Sequence, residues 1–380
     1  MQNDKSALII ASKNGQFDVA RLLLERGANV NQVTNDGVSS LFIASQNGHV
    51  DVARLLFEHG ANVNQVANDG ISSLYIASEE GHVDVARLLL ELGANVNQAT
   101  IRGFSSLYIA SQNGHVDLAR LLLERGANVN QVTIDGASSL LIASEKGRVD
   151  VARLLLEREA NVNRVTTNGV SSLYTASQNG HVDVARLLLE RGANVYETTI
   201  RGVSSLYAAS EDGHVHVARL LLERGANVNE VTNDGVSSLF IASQNGHVDV
   251  ACLLFEHGAN VNQVANDGVS SLFIASQVGH VDVARLLLER GANVNQATND
   301  DVSSLYIASQ NGHVDVARLL LERGANVNQT TIRGISPLYI ASENGRVHVA
   351  RLLLEHGANV NLTNEYEFFS LTGATFGTRR

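Results

Sequence analysis

The sequence predicts an all-α repeat solenoid made of helix-turn-helix units with β-hairpin-like fingers. Three observations lead there. One 33-residue segment recurs in register along nearly all of the 380-residue chain, the mark of a stack of like supersecondary units. Each copy holds two short apolar-periodic runs, nearly all followed by glycine, which reads as two short helices with left-handed stops. The runs of successive copies are joined by a stretch rich in Asn, Asp and Gly, the chemistry of tight turns.

Full copies open at Asn35, Asn68, Ile101, Ile134, Thr167, Ile200, Asn233, Asn266, Asn299 and Ile332, after an N-terminal copy that lacks its first residues. The array is placed at residues 1–364, about eleven repeats including the truncated one. In the copy from Asn35 to Ala67, Ser39 is positioned to cap a helix over Ser40 to Asn47, with Gly48 as its stop. The small Ala44 and Ser45 on that helix allow close approach of a neighbour. A second, antiparallel helix spans about Val50 to His59. Val52, Ala53, Leu55 and Leu56 form its apolar stripe, and Gly60 ends it. The stretch from Ala61 to Gly70 closes with Asn68-Asp69-Gly70, a turn signal, and is expected to project as a finger. Helices this short are not stable alone, so burial between adjacent copies must supply most of the stabilisation.

A solenoid needs polar ends. Gln2, Asn3, Asp4, Lys5 and Lys13, with Ser6 as helix cap, are expected to form the N-terminal lid. At the other end Phe368-Phe369-Ser370-Leu371 echoes the helix start, and residues 365–380, closing on Arg379-Arg380, read as a degenerate partial repeat acting as a C-terminal cap.

A formal net charge of −11 argues against a general binder of phosphate backbones, which needs clustered Lys and Arg, so no nucleic-acid partner is expected. The single cysteine, Cys252, cannot form an internal disulfide and suits a reducing compartment, so an intracellular location, cytoplasmic or nuclear, is expected. No apolar stretch approaches a membrane span.

His49, His82, His115, His181, His214, His247, His280 and His313 recur once per copy. Adjacent packed helices lie roughly 10 Å apart, too far for two such imidazoles to share one zinc. Arg148 and Arg346 stand at the same place in two copies, which favours bracing of the turn over ligation. No phosphate-binding glycine loop, His-Glu-x-x-His or Gly-x-Ser-x-Gly occurs, so no enzyme activity, cofactor or metal is expected. On the outer helix Arg54 is spaced to pair with Asp51 or Glu58. Cys252 replaces that arginine in its own copy and is expected to be exposed.

Differences between copies cluster at two places. Before the finger-tip glycine the second residue of the pair is Asp36, Asp69, Asp135, Asp234 or Asp267 in some copies, but Arg102, Arg201 or Arg333 in others. Charge reversal at a loop tip is where recognition is usually placed. At the end of the first helix the pair is Gln-Asn in several copies, as at Gln46-Asn47, and elsewhere Glu79-Glu80, Glu145-Lys146, Glu211-Asp212, Gln277-Val278 or Glu343-Asn344. Beside it runs a ladder of Phe42, Tyr75, Tyr108, Leu141, Tyr174, Tyr207, Phe240, Phe273, Tyr306 and Tyr339. These side chains either fill the finger–helix junction or anchor a partner; the exchange of Phe, Tyr and Leu favours packing.

The order of finger, helix, tight turn and antiparallel helix, with Gly-His, Leu-Leu-Leu and Gly-Ala-Asn-Val-Asn, resembles the ankyrin repeat over roughly residues 5 to 364. The family's Thr-Pro-Leu-His helix start reads Ser39-Ser40-Leu41-Phe42 here, and only Ser336-Pro337-Leu338-Tyr339 keeps the proline. The resemblance implies a non-enzymatic, monomeric scaffold or adaptor that binds a protein partner through its concave face and finger tips. On that reading Asp36, Asp69, Arg102, Asp135, Arg201, Asp234, Asp267 and Arg333, with Glu79, Glu80, Glu145, Lys146, Glu211 and Asp212, form the partner-binding set. Tyr75, Tyr108, Tyr174, Tyr207, Tyr306 and Tyr339 complete it. The alternatives are an elastic spacer or anchoring rod, and a substrate-recruiting fragment of a larger multidomain protein.

Overall fold

A computed structural model describes residues 6–362 of the chain. The expected lid residues Gln2 to Lys5, the segment from Phe368 and the two terminal arginines lie outside the described residues. Twenty-two short α-helices, counted among the described residues, alternate between an inner and an outer series. Contacts divide the chain into two units, residues 1–194 and 195–380.

Within the first unit the inner helix Ser40–Gln46 starts at Ser39, whose hydroxyl accepts from the Phe42 amide at 3.1 Å. Such a cap satisfies one of the otherwise orphaned first-turn amides. Asn47 is the C-cap, so the helix stops one residue before the sequence reading placed its end. The outer helix Val50–Glu58 likewise ends just before His59. Val52, Ala53, Leu55 and Leu56 are all buried, as its stripe requires. Ser40–Gln46 packs on Ala7–Lys13 before it, on Ser73–Glu80 after it and on its own outer helix, so the core is a seam running from copy to copy. The second unit repeats this arrangement from Ser205–Glu211 to Val347–Glu355.

The fingers are tight hairpins; among the described residues nine of them are closed by a single antiparallel bridge, as Val33 with Ser39 and Val264 with Ser270, while the finger before Ser336 has no such bridge. Neighbouring copies are tied further by a ladder of asparagines. Asn31 Nδ2 donates to the Gly60 carbonyl at 3.0 Å, and the Asn62 amide donates to Asn31 Oδ1 at 2.8 Å. Asn64 makes the same pair of bonds to Gly93 and Asn95.

The histidines brace the turns across copies. His82 Nε2 donates to the Gln46 carbonyl and His115 Nε2 to that of Glu79, both at 3.1 Å; a carbonyl only accepts, so that nitrogen carries the proton. Arg148 Nε reaches the Gln112 carbonyl at 3.2 Å and Arg346 Nε that of Gln310 at 3.0 Å. The two arginines therefore do the work of the imidazole they replace.

Two expectations are corrected. Among the described residues Arg54 forms no ion pair; only Arg21 with Asp18 realises the pairing within an outer helix. The long side chains reach across copies instead, Arg125 to Glu91, Arg323 to Glu289 and Arg219 to Glu256. Cys252 is half-buried rather than exposed. Among the described residues no helix is long and apolar enough to cross a membrane, and no group of three or more His, Cys, Asp or Glu is placed to hold a metal ion.

Candidate functional site

The finger tips are built by backbone. In the finger after Thr100, the Thr100 amide donates to the Phe104 carbonyl at 3.0 Å and the Gly103 amide to the Thr100 carbonyl at 2.8 Å. Within each unit a tip rests on the one before through one further bond whose acceptor is the carbonyl of the variable residue. The Asn68 amide donates to Asp36 O, Ile101 to Asp69 O, Ile134 to Arg102 O and Thr167 to Asp135 O. In the second unit Asn233 donates to Arg201 O, Asn266 to Asp234 O and Asn299 to Asp267 O. The side chains of Asp36, Asp69, Arg102, Asp135, Arg201, Asp234, Asp267 and Arg333 are exposed.

The ends of the inner helices follow the same plan. The carbonyls that receive the histidines and arginines belong to the variable position itself: Gln46, Glu79, Gln112, Glu145, Glu211, Gln244, Gln277 and Gln310. Glu79, Glu145 and Glu211 are half-buried, while Glu80, Lys146 and Asp212 are exposed. Lys146 Nζ meets Glu145 Oε1 at 2.7 Å.

Burial pushes the Glu79 carboxyl above the usual range, helped by the Glu80 charge, and acts on Glu211 in the same way with Asp212. The Tyr75 phenol is pushed up to about 12, by burial first and then by Glu79, Tyr108 and Asp69. Tyr108 reaches about 12 through burial and Glu145. Tyr306 is raised by burial and Glu343 and pulled back by Arg333. The first unit thus brings Asp69, Tyr75, Tyr108, Glu79 and Glu145 together, and the second brings Tyr306 to Arg333.

Of the ring positions, Tyr75, Tyr108 and Tyr306 are buried, whereas Tyr174, Tyr207 and Tyr339 are half-buried. Phe104 sits 5.0 Å from Tyr108 in a tilted pair, so that ring packs under its finger. A depression of about 220 Å³ in the second unit is lined by Asp300, Val302, Tyr306, Thr331, Ile332, Arg333 and Ile335. It lies between neighbouring fingers.

The sequence reading missed three features of this surface. Ile101, Ile134, Ile200 and Ile332 are largely exposed at the tips, at 70%, 71%, 66% and 56%. Where the copy carries asparagine instead, that side chain ties the tips, as Asn68 Nδ2 does to the Asn35 carbonyl at 2.8 Å and Asn266 Nδ2 to that of Asn233 at 3.0 Å. Asp301 replaces the tip glycine of its copy and holds the left-handed conformation at φ 58°, which is costly for a residue with a Cβ. Tyr196, in place of the second Asn of Asn-Val-Asn, is largely exposed. The signal for all three was present as departures from the repeat.

Known proteins agree with this architecture. The family model described as "Ankyrin repeats (3 copies)" matches residues 1–67, 63–133, 107–199, 194–265 and 272–364. Among solved structures the chain is similar to the human ASB11 ankyrin repeat domain. Identity is 32%, the TM-score is 0.55, and the match covers 59% of this chain and 99% of that one. A search of curated proteins found no match. Ankyrin repeats are in general protein–protein interaction modules and are typically not enzymes. With the family model matching along nearly its whole length and the finger, helix and turn geometry of each copy in place, the chain belongs to the ankyrin repeat family.

Proposed function

We propose that this chain is a non-enzymatic scaffold that holds a protein partner against its finger tips and inner-helix ends. One observation carries the reading: the residues that change charge between copies, at the finger tips and at the inner-helix ends, give the next copy a backbone carbonyl rather than a side-chain bond. At Asp69, Arg102 and Arg201, and at Glu79, Glu145 and Glu211, the main chain supplies the tie to the next copy, while the first three side chains are exposed and the last three half-buried. Isoleucine at four tips supports the same conclusion, because an exposed aliphatic side chain where other copies place a tying amide adds nothing to folding. The tips of Arg102, Arg201 and Arg333, each beside an isoleucine, suit a partner surface with acidic groups around an apolar centre.

The test is affinity capture from the native source with the full chain, comparing wild type with the triple variant Arg102→Asp, Arg201→Asp and Arg333→Asp. Loss of co-purified proteins with unchanged circular dichroism is expected. An unchanged set of captured proteins, together with a cellular role that depends on copy number alone, would replace the scaffold by the spacer.

A further inference from the structure

Eight Asn-Gly pairs occur in the sequence; seven close inner helices, and the eighth, Asn168-Gly169, stands at a finger tip. Before glycine, the main-chain nitrogen reaches an asparagine carboxamide carbon most readily, because glycine brings no Cβ to hinder the ring that must close. The fold restrains the seven helix-end pairs from that step. At Asn47, Asn113, Asn179, Asn245, Asn311 and Asn344 the carboxamide nitrogen donates to a main-chain carbonyl at 2.7–2.9 Å. Among the described residues only Asn14 of this set lacks such a bond. Its Gly15 is instead packed by the His49 imidazole, whose Nε2 donates to the Lys13 carbonyl at 3.0 Å.

The tip is built otherwise. The Thr166 amide donates to the Val170 carbonyl at 3.0 Å and the Gly169 amide to the Thr166 carbonyl at 2.9 Å, which leaves Asn168 exposed on a hairpin turn. Whether the residue at this place is tied depends on the residue two before it. Where that residue is alanine, at Ala67 and Ala265, the tip aspartate takes the amide two residues on. Asp69 Oδ1 accepts from Ile71 and Asp267 Oδ1 from Val269, both at 3.1 Å. Where it is threonine, the hydroxyl takes that amide instead, as Thr34 does from Val38 and Thr133 from Ala137. Thr166 Oγ1 likewise accepts from Val170 at 3.1 Å, so among the described residues nothing holds the Asn168 carboxamide.

We propose that Asn168 is a site of spontaneous deamidation, and that Thr166 sets its rate by occupying the amide that would otherwise hold the side chain. When the tip opens, the Gly169 nitrogen gives up its proton and attacks Asn168 Cγ. The N–Cγ bond forms, the Cγ–Nδ2 bond breaks, and Nδ2 leaves as ammonia, gaining the proton through water. Water then opens the cyclic imide. Cleavage of the bond from nitrogen to Cγ leaves aspartate, and cleavage of the bond to the main-chain carbonyl leaves isoaspartate. Either product adds one negative charge to the formal −11. The aspartate product gives this neutral tip the residue that Asp36, Asp69, Asp135, Asp234 and Asp267 supply elsewhere. The proposal does not depend on what binds the tips, and stands or falls separately from the scaffold reading.

The test is incubation of the folded full chain at mildly alkaline pH, which favours loss of the amide proton, followed by proteolysis and fragment-ion mapping of every Asn-Gly pair. The chain unfolded in urea and the folded Thr166→Ala variant are run alongside. Unfolded, all pairs are expected to convert at similar rates. Folded, Asn168 is expected to convert at least about fivefold faster than every other pair, the factor that one net hydrogen bond is worth. Thr166→Ala frees the Val170 amide for Asn168 Oδ1, as Ala67 does for Asp69, and should slow conversion about fivefold with circular dichroism unchanged. Conversion at Asn168 no faster than at the other pairs of the folded chain, or a folded Thr166→Ala variant that converts at the wild-type rate, would overturn the proposal. Should Thr166→Ala lower the helix content, the folded and unfolded wild-type rates decide alone.

Discussion

Two glycines in one copy separate the backbone demand from the contact demand, and their difference can be worked out from the structure. Gly81 and Gly93 both hold the left-handed conformation, at φ 80° and 87°. A Cβ at Gly93 would meet nothing within 4 Å, whereas one at Gly81 would stand 2.8 Å from His115 Cε1 and 3.0 Å from Nδ1. Alanine at either site bears the left-handed cost of about 1–2 kcal/mol. At Gly81 the imidazole must also move, which breaks its 3.1 Å bond to the Glu79 carbonyl and adds about 0.5–1.5 kcal/mol. Gly81→Ala should therefore destabilise by about 1 kcal/mol more than Gly93→Ala, roughly a fivefold change in the local opening constant. In a His115→Ala background that excess should disappear. Urea unfolding analysed with nearest-neighbour coupling is the right assay, since long arrays depart from two-state behaviour. Equal penalties at the two glycines, or an excess that survives removal of His115, would refute the idea that the histidine ties copies together.

Other outcomes follow from the same framework. Arg148→His should leave stability within about 0.5 kcal/mol, because either side chain reaches the carbonyl of the preceding copy, while Arg148→Ala should cost about 1 kcal/mol; denaturant midpoints decide it. Removing the buried Leu187 as Leu187→Ala should cost about 2–5 kcal/mol by the same measurement. The Tyr75 and Tyr108 phenols are raised from 10 to about 12 in the folded chain, so folding favours their neutral form. Their contribution is complete below pH 10 and is lost as pH rises through 12. Replacing both with phenylalanine should flatten the alkaline loss of stability measured by circular dichroism.

The period, the helix pairs and their caps were legible because they depend on local chemistry. Ser39 before an apolar run and Gly60 after one say what they do without reference to any other copy. The ties between copies were not legible. Arg54 was given a carboxylate on its own helix by the spacing rule, yet the ion pairs that form from Arg125, Arg219 and Arg323 cross to a neighbouring copy, a distance the rule does not see. For the same reason Arg148 read as evidence against a ligand but not as a substitute donor. The variable tips were found by comparing copies, which needs no geometry. That the carbonyls of Asp36 and Asp69 receive the next tip, with Asn68 adding a side-chain bond, became visible only with the fingers in place.

The asparagine ladder has a consequence for length. Except where Tyr196 replaces the asparagine, the rungs join atoms at fixed offsets, as Asn31 to Gly60 and Asn62, and Asn64 to Gly93 and Asn95. Excising or inserting one whole module leaves every rung intact, so unequal crossing-over can change the number of modules without a scar. The backbone thus holds no count of its own modules, and an address along the chain is written only in the tip charges, which a recombination event would shuffle as cassettes.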